Sequence, residues 1–190
     1  FGTMDDFDQL LSNIHQRGMK LILDLVVNHT SDEHPWFIES KSSKASAKRD
    51  WYIWADPKPD GSEPNNWESI FNGSTWEFDE STKQYYFHLF SKKQPDLNWE
   101  NPDVRQAVFD MMNWWFEKGI DGFRVDAITH IKKNFEAGDL PIPDGKKFAP
   151  AFDVDMNQPG IQEWLQEMKD KSLSRYDIMT VGEANGVTPN

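Results

Sequence analysis

Apolar residues recur at Phe7, Leu10, Leu11 and Ile14, three and four positions apart, and predict a helix with one apolar face. Thr3 is placed to cap its start and Gly18 to stop it. A nearly continuous apolar run follows, Leu21-Ile22-Leu23 and Leu25-Val26-Val27, interrupted by Asp24 alone. Such a run predicts a strand buried on both faces, as in a parallel sheet. Helical spacing returns at Val104, Val108, Met111, Met112, Trp115 and Phe116, opening on Asn101-Pro102 and closing at Gly119. A short strand is predicted over 122–126 directly afterwards. Ile161, Trp164, Leu165 and Met168 predict a third helix, and 178–181 a third strand leading into Gly182-Glu183.

Strands that alternate with helices imply an α/β protein with a parallel sheet. Between the first strand and the second long helix lies a stretch too long for a plain connection. It is rich in Trp, Asn, Pro and Gly, and Trp76-Glu77-Phe78 with Tyr85-Tyr86-Phe87 reads as a hairpin. We take 29–100 as a small inserted subdomain, with 1–28 and 101–190 forming the main body. A closed parallel barrel has eight strands in about 250 residues. Three core strands in 190 residues are either a fragment of one or an open sheet, and the opening on a helix favours the fragment.

Composition narrows the possibilities. The net charge is −12, which opposes binding to nucleic acid. No stretch approaches the roughly 18 apolar residues of a membrane span, so no membrane partner is expected. There are no cysteines, which excludes disulfides and thiolate metal sites and fits a cytoplasmic protein.

The chemistry gathers at strand ends. The first strand carries Asp24 and ends in Asn28-His29, the second ends in Arg124-Val125-Asp126, and the third ends in Glu183. Parallel strands bring these ends to one rim, where barrels hold their active sites. A carboxylate at a buried strand end costs free energy unless it is paired or used. Two carboxylates, a guanidinium and an imidazole suit glycoside hydrolysis, in which one acid attacks and the other delivers a proton. Arg124 lies on the same strand face as Asp126 and is expected to favour its ionised form, whereas an apolar setting is expected for Glu183.

The motifs DLVVNH (24–29), GFRVDAITH (122–130) and VGEANG (181–186) resemble conserved regions of the α-amylase family, glycoside hydrolase family 13. QPDLNW (94–99) resembles the added signature of its oligo-1,6-glucosidase and α-glucosidase branch. The resemblance implies a fragment of a (β/α)8 TIM barrel, with 29–100 as the inserted domain B after the third strand. It implies Asp126 as nucleophile, Glu183 as general acid/base, and a retaining double displacement through a β-glucosyl-enzyme. Arg124 falls on the arginine that holds the nucleophile, Asp24 on that arginine's buried partner, and His29 on the histidine that contacts glucose hydroxyls. Phe71 and Phe90 match aromatics of the glucose pocket, and His130 falls near the acceptor site. Asn28 matches an amylase calcium ligand but is read here as support for its loop. No metal is assigned to the chain, and calcium, if bound, is expected elsewhere in the parent enzyme.

The family's third acid would lie beyond Asn190, so this stretch alone is expected to be inactive. Ala127, after the expected nucleophile, resembles members acting on α-1,4 bonds, where the α-1,6 branch has valine. The expected substrates are maltose, isomaltose and short malto- or isomalto-oligosaccharides, cut at a terminal glucose. Alternatives are a trehalose-6-phosphate hydrolase, sucrose isomerase or dextran glucosidase of the same family, or a non-catalytic ancillary ectodomain. The ectodomains have lost the catalytic carboxylates, whereas Asp126 and Glu183 are present. Trp67 or Trp99 could stack on sugar, and Asp153 with Asp155, read as extended, are too few for a metal site.

Overall fold

The computed structural model describes residues 2–187. Helix α1 (Met4–Gln16) starts at Thr3, whose hydroxyl accepts from the Asp6 amide while the Asp6 carboxylate accepts from the Thr3 amide, closing a reciprocal cap. Strand β1 (Ile22–Val26) follows. Next come α2 (Pro35–Ser42), β2 (Trp54–Ala55), β3 (Trp76–Asp79) and β4 (Gln84–Phe87). Then come α3 (Pro102–Lys118), β5 (Gly122–Asp126), the short α4 (Phe152–Asp155), α5 (Ile161–Lys171) and β6 (Met179–Gly182). The helices begin and end as their sequence signals require: Asn101 caps α3 through its side chain, and Gly119 terminates it in the left-handed conformation.

Strands β1, β5 and β6 form a parallel sheet in that order. Asp24 stands opposite Arg124, Val26 opposite Asp126, and Arg124 opposite Val181. This register sorts the side chains. Leu25, Phe123 and Val125 face the helices and join one core with Val104, Val108, Phe109, Met112 and Phe116 of α3 and Ile161, Trp164 and Met168 of α5. Burial of β1 on both faces is not found: Ile22 and Val26 remain 37% and 43% exposed. All of β6 is exposed as well. Ile22, Asp24 and Val26 stand on the second face of the sheet, over which nothing is packed among the described residues. Leu10 of the α1 face is likewise exposed.

Gly122 is obligatory at the start of β5. Its φ is +153°, and a Cβ there would lie 1.7 Å from the Met179 carbonyl oxygen of β6. The close approach of these two strands, which carry Asp126 and lead to Glu183, therefore needs a residue without a side chain.

The insert builds an antiparallel sheet in the order β2, β4, β3, with Trp76 opposite Phe87 and Phe78 opposite Tyr85. Its two ends are stitched together where His29 pairs with Asp96 and the Leu97 amide donates to the Asn28 carbonyl at 2.9 Å. Trp67, Trp76, Phe87 and Leu89 form its core, completed by Ala151 and Leu140 from the β5–α5 connection. Asp153 and Asp155 are not extended but lie in the turn of α4.

Candidate active site

The parallel register places the polar strand ends side by side, and one guanidinium ties them together. Arg124 Nη1 donates to Asp24 Oδ1 at 2.8 Å and to Asp126 Oδ1 at 2.5 Å. Its Nη2 lies 2.9 Å from Glu183 Oε2. Asp24, then Asp126, hold the Arg124 proton well above the usual arginine range. Because the guanidinium is small and planar, the bridged oxygens of Asp126 and Glu183 lie within roughly 8 Å of one another, on one side of the sheet. Glu183 is positioned by its own amide, which continues the ladder to the Val125 carbonyl at 2.9 Å.

Two expectations change. The Glu183 side chain is 41% exposed and paired with Arg124, so its surroundings are not apolar. Asp24 partners Arg124 as expected but is 56% exposed rather than buried. Both side chains stand on the second face of the sheet, over which nothing is packed among the described residues. Directly after Asp126, Ala127 is buried and adopts the left-handed conformation at φ 45°, an uncommon state for a residue with a Cβ. Its amide points to Glu183 Oε2 at 3.3 Å, so the chain reversal after one carboxylate supports the other.

His29 is buried at the end of β1. The amide nitrogens of Gln94 and Asn28 lie 2.9 and 3.2 Å from its Nε2 and Nδ1. A neutral imidazole accepts one hydrogen bond, so one amide donates at a time. Burial pushes the His29 pKa below 6.5, against the nearby Asp96 and Asp126, which leaves the ring neutral at pH 7. An aromatic row flanks it: Phe90 stands 5.2 Å from His29 and 5.9 Å from the exposed Phe71. His130 also packs edge-on against Phe90, but it is buried, with Nδ1 turned to the Asp155 carbonyl at 3.2 Å. Trp67 and Trp99 are core residues; the Trp99 indole donates to the Val27 carbonyl, and Trp67 stacks on Phe135.

Asn28 is fully buried, and its neighbours were not foreseen. Its Nδ2 donates to Asp96 Oδ2 at 2.9 Å, and its Oδ1 accepts from Lys133 Nζ at 2.8 Å. Lys133 in turn reaches Asp96 Oδ2 at 2.6 Å, and both side chains are essentially inaccessible. The oxygens that a cation at Asn28 would need are thus already held by an ammonium, and the residues do not fit a metal there. No group of three or more His, Cys, Asp or Glu placed to hold a metal occurs among the described residues. Nothing in the sequence near Lys133 signals this role, because Asn28 lies 105 positions away. Gln94, inside the QPDLNW motif, was the more findable omission.

Three acids around one guanidinium on parallel strands thus form a polar cluster, with a buried histidine and the Phe90 and Phe71 rings beside it. Residues 1–190 match the model of the alpha-amylase catalytic domain, and the chain belongs to that family. It is 67% identical over 187 residues to the probable oligo-1,6-glucosidase 3 of Bacillus subtilis, covering 98% of this chain and 34% of that protein. It is 60% identical to the oligo-1,6-glucosidase of Parageobacillus thermoglucosidasius, covering all of this chain and 34% of that protein. The crystal structure of the trehalose-6-phosphate hydrolase of Bacillus licheniformis superposes with a TM-score of 0.90 at 50% identity, over 99% of this chain and 33% of that one. The chain therefore spans about a third of the length of these relatives and corresponds to part of a (β/α)8 barrel.

Proposed function

We propose that the enzyme carrying this chain hydrolyses terminal α-linked glucose from short malto- and isomalto-oligosaccharides with retention of configuration. The observation that carries this reading is the Arg124 hub, which gathers Asp24, Asp126 and Glu183 at one rim. In this mechanism an Asp126 oxygen attacks the anomeric carbon as Glu183 gives its proton to the departing glycosidic oxygen. Glu183 then takes a proton from water, whose oxygen displaces Asp126 and releases α-glucose. Arg124 and Asp24 fix the attacking carboxylate. Glu183 must swing from Arg124 Nη2 to reach the leaving oxygen. Neutral His29, held by Gln94, contacts glucose hydroxyls, and Phe71 and Phe90 wall the pocket. The insert, 29–100, acts as domain B. No step uses a metal at Asn28, because Lys133 supplies the positive charge, and any calcium belongs to other parts of the enzyme. The cysteine-free composition favours a cytoplasmic enzyme. No helix among the described residues is long and apolar enough to cross a membrane.

The test is a substrate panel on the full-length enzyme: maltose, isomaltose, trehalose 6-phosphate and sucrose, with products followed by NMR. Glucose released first as the α-anomer from maltose and isomaltose is expected. Trehalose 6-phosphate as the preferred substrate would replace this reading with that of the structurally similar hydrolase, and isomaltulose as the main product from sucrose would replace it with isomerisation. Ala127 is expected to favour α-1,4 bonds. Ala127→Val should move the kcat/KM ratio towards isomaltose by about 5- to 150-fold, the equivalent of ~1–3 kcal/mol. A β-branched residue at φ 45° adds strain, but a ratio of two substrates is independent of how much enzyme is folded. An unchanged ratio would remove Ala127 as the selector.

A further inference from the structure

Residues 184–187 are exposed. Among the described residues, one hydrogen bond ties their backbone to another part of the chain: Asn157 Nδ2 donates to the Asn185 carbonyl at 3.1 Å. Asn157 has a second tie. Its backbone amide donates to the Thr129 carbonyl at 2.8 Å, in the helical turn Ile128–His130 that begins two residues after Asp126. One residue thus spans the two loops that leave the strand ends bearing Asp126 and Glu183.

The surroundings favour a built contact. Asn157 takes the left-handed conformation at φ 53°, which asparagine tolerates better than most residues. Gln158, buried, braces the turn from below by donating to the carbonyls of Asp153 and Met156, each at 2.9 Å. Next to Asn157, Met156 packs so closely on Gly186 that a Cβ there would lie 2.6 Å from Met156 Cε. The Met156 methyl could shift to admit a side chain, so the stronger reason for glycine at 186 is the bend at φ +67°.

We propose that Asn157 is a positioning residue that sets Glu183 relative to Asp126 by clasping the two strand-end loops together. This rests on the reading of Glu183 as the general acid/base. Proton delivery is sensitive to such placement, since a shift of about 1 Å can cost on the order of 100-fold.

The test uses the full-length enzyme with Asn157→Asp, which keeps the volume and the left-handed preference but replaces the donor with a carboxylate. Asn157→Gly serves as a second variant that keeps the backbone and removes the amide. The readout is kcat/KM on maltose and on α-glucosyl fluoride, whose fluoride leaves with little need of a proton. Both variants are expected to lose about 10- to 100-fold on maltose and less than about threefold on the fluoride, with melting temperatures close to the parent. Equal losses on both substrates, or none on maltose, would overturn the clasp. Glu183→Gln run in parallel separates the two claims. If it too fails to discriminate between the substrates, the acid role itself is wrong. If it discriminates and the Asn157 variants do not, only the clasp falls.

Discussion

Lys133 shows what a single residue does in this molecule. Its ammonium and the Asp96 carboxylate are buried against each other; Asn28 Nδ2 donates to the same Asp96 Oδ2, and the Leu89 amide donates to Oδ1. Removing one partner leaves an uncompensated buried charge, which costs far more than the pair gains over neutral groups. Lys133→Met should therefore destabilise the enzyme by about 3–5 kcal/mol in urea unfolding, and adding Asp96→Asn should recover much of the loss. A single-variant cost below about 1 kcal/mol would show that Asp96 does not need its ammonium. At this scale the sequence was legible where chemistry coincided with strand ends. Asp126, Glu183, Arg124 and His29 stood out because a charge at the end of an apolar run demands a reason. Lys133 did not, because a lysine in a polar loop looks solvated until folding brings Asn28 and Asp96 to it.

Elements were readable where their signals are local. The Thr3 cap, Asn101-Pro102, the stop at Gly119 and the hairpin all fell as predicted, since each depends on neighbours in the chain. Which strand face is covered depends on distant elements, and the second face of β1 has none packed on it among the described residues. Between elements, Gly122 sets how closely β5 and β6 approach. Gly122→Ala would drive a methyl group into the Met179 carbonyl and force a positive φ on alanine. Part of the β5–β6 ladder should open, costing about 3 kcal/mol or more, and Glu183 should lose its place. A thermal melt and a maltose assay on this variant check both effects. An unaltered melting temperature would mean that the strands can part without consequence.

Across the described residues, the two faces of the parallel sheet differ in character. The helix-facing side supplies cohesion through Leu25, Phe123 and Val125 packed on α3 and α5. The open side presents Asp24, Arg124 and Asp126. The insert leans over the rim with His29, Phe90 and Phe71, anchored by the pairing of His29 with Asp96. The parallel α/β class was legible because the order of strands and helices survives in a third of the fold, and the barrel followed from the resemblance of 24–29, 122–130 and 181–186 to the α-amylase family. The sharing of Arg124 between both acids was not, since no spacing along the chain encodes the distance between β5 and β6.

The central claim is that Asp126 forms a covalent bond to glucose while Glu183 handles the proton. A fluorinated α-glucosyl fluoride that reacts quickly and is released slowly, incubated with the full-length enzyme, digested and mapped by mass spectrometry, tests it most directly. One glucosyl group is expected on the peptide containing Asp126, and none on the Asp126→Asn variant. A label on another residue, or no label together with β-glucose as the first product of turnover, would contradict it.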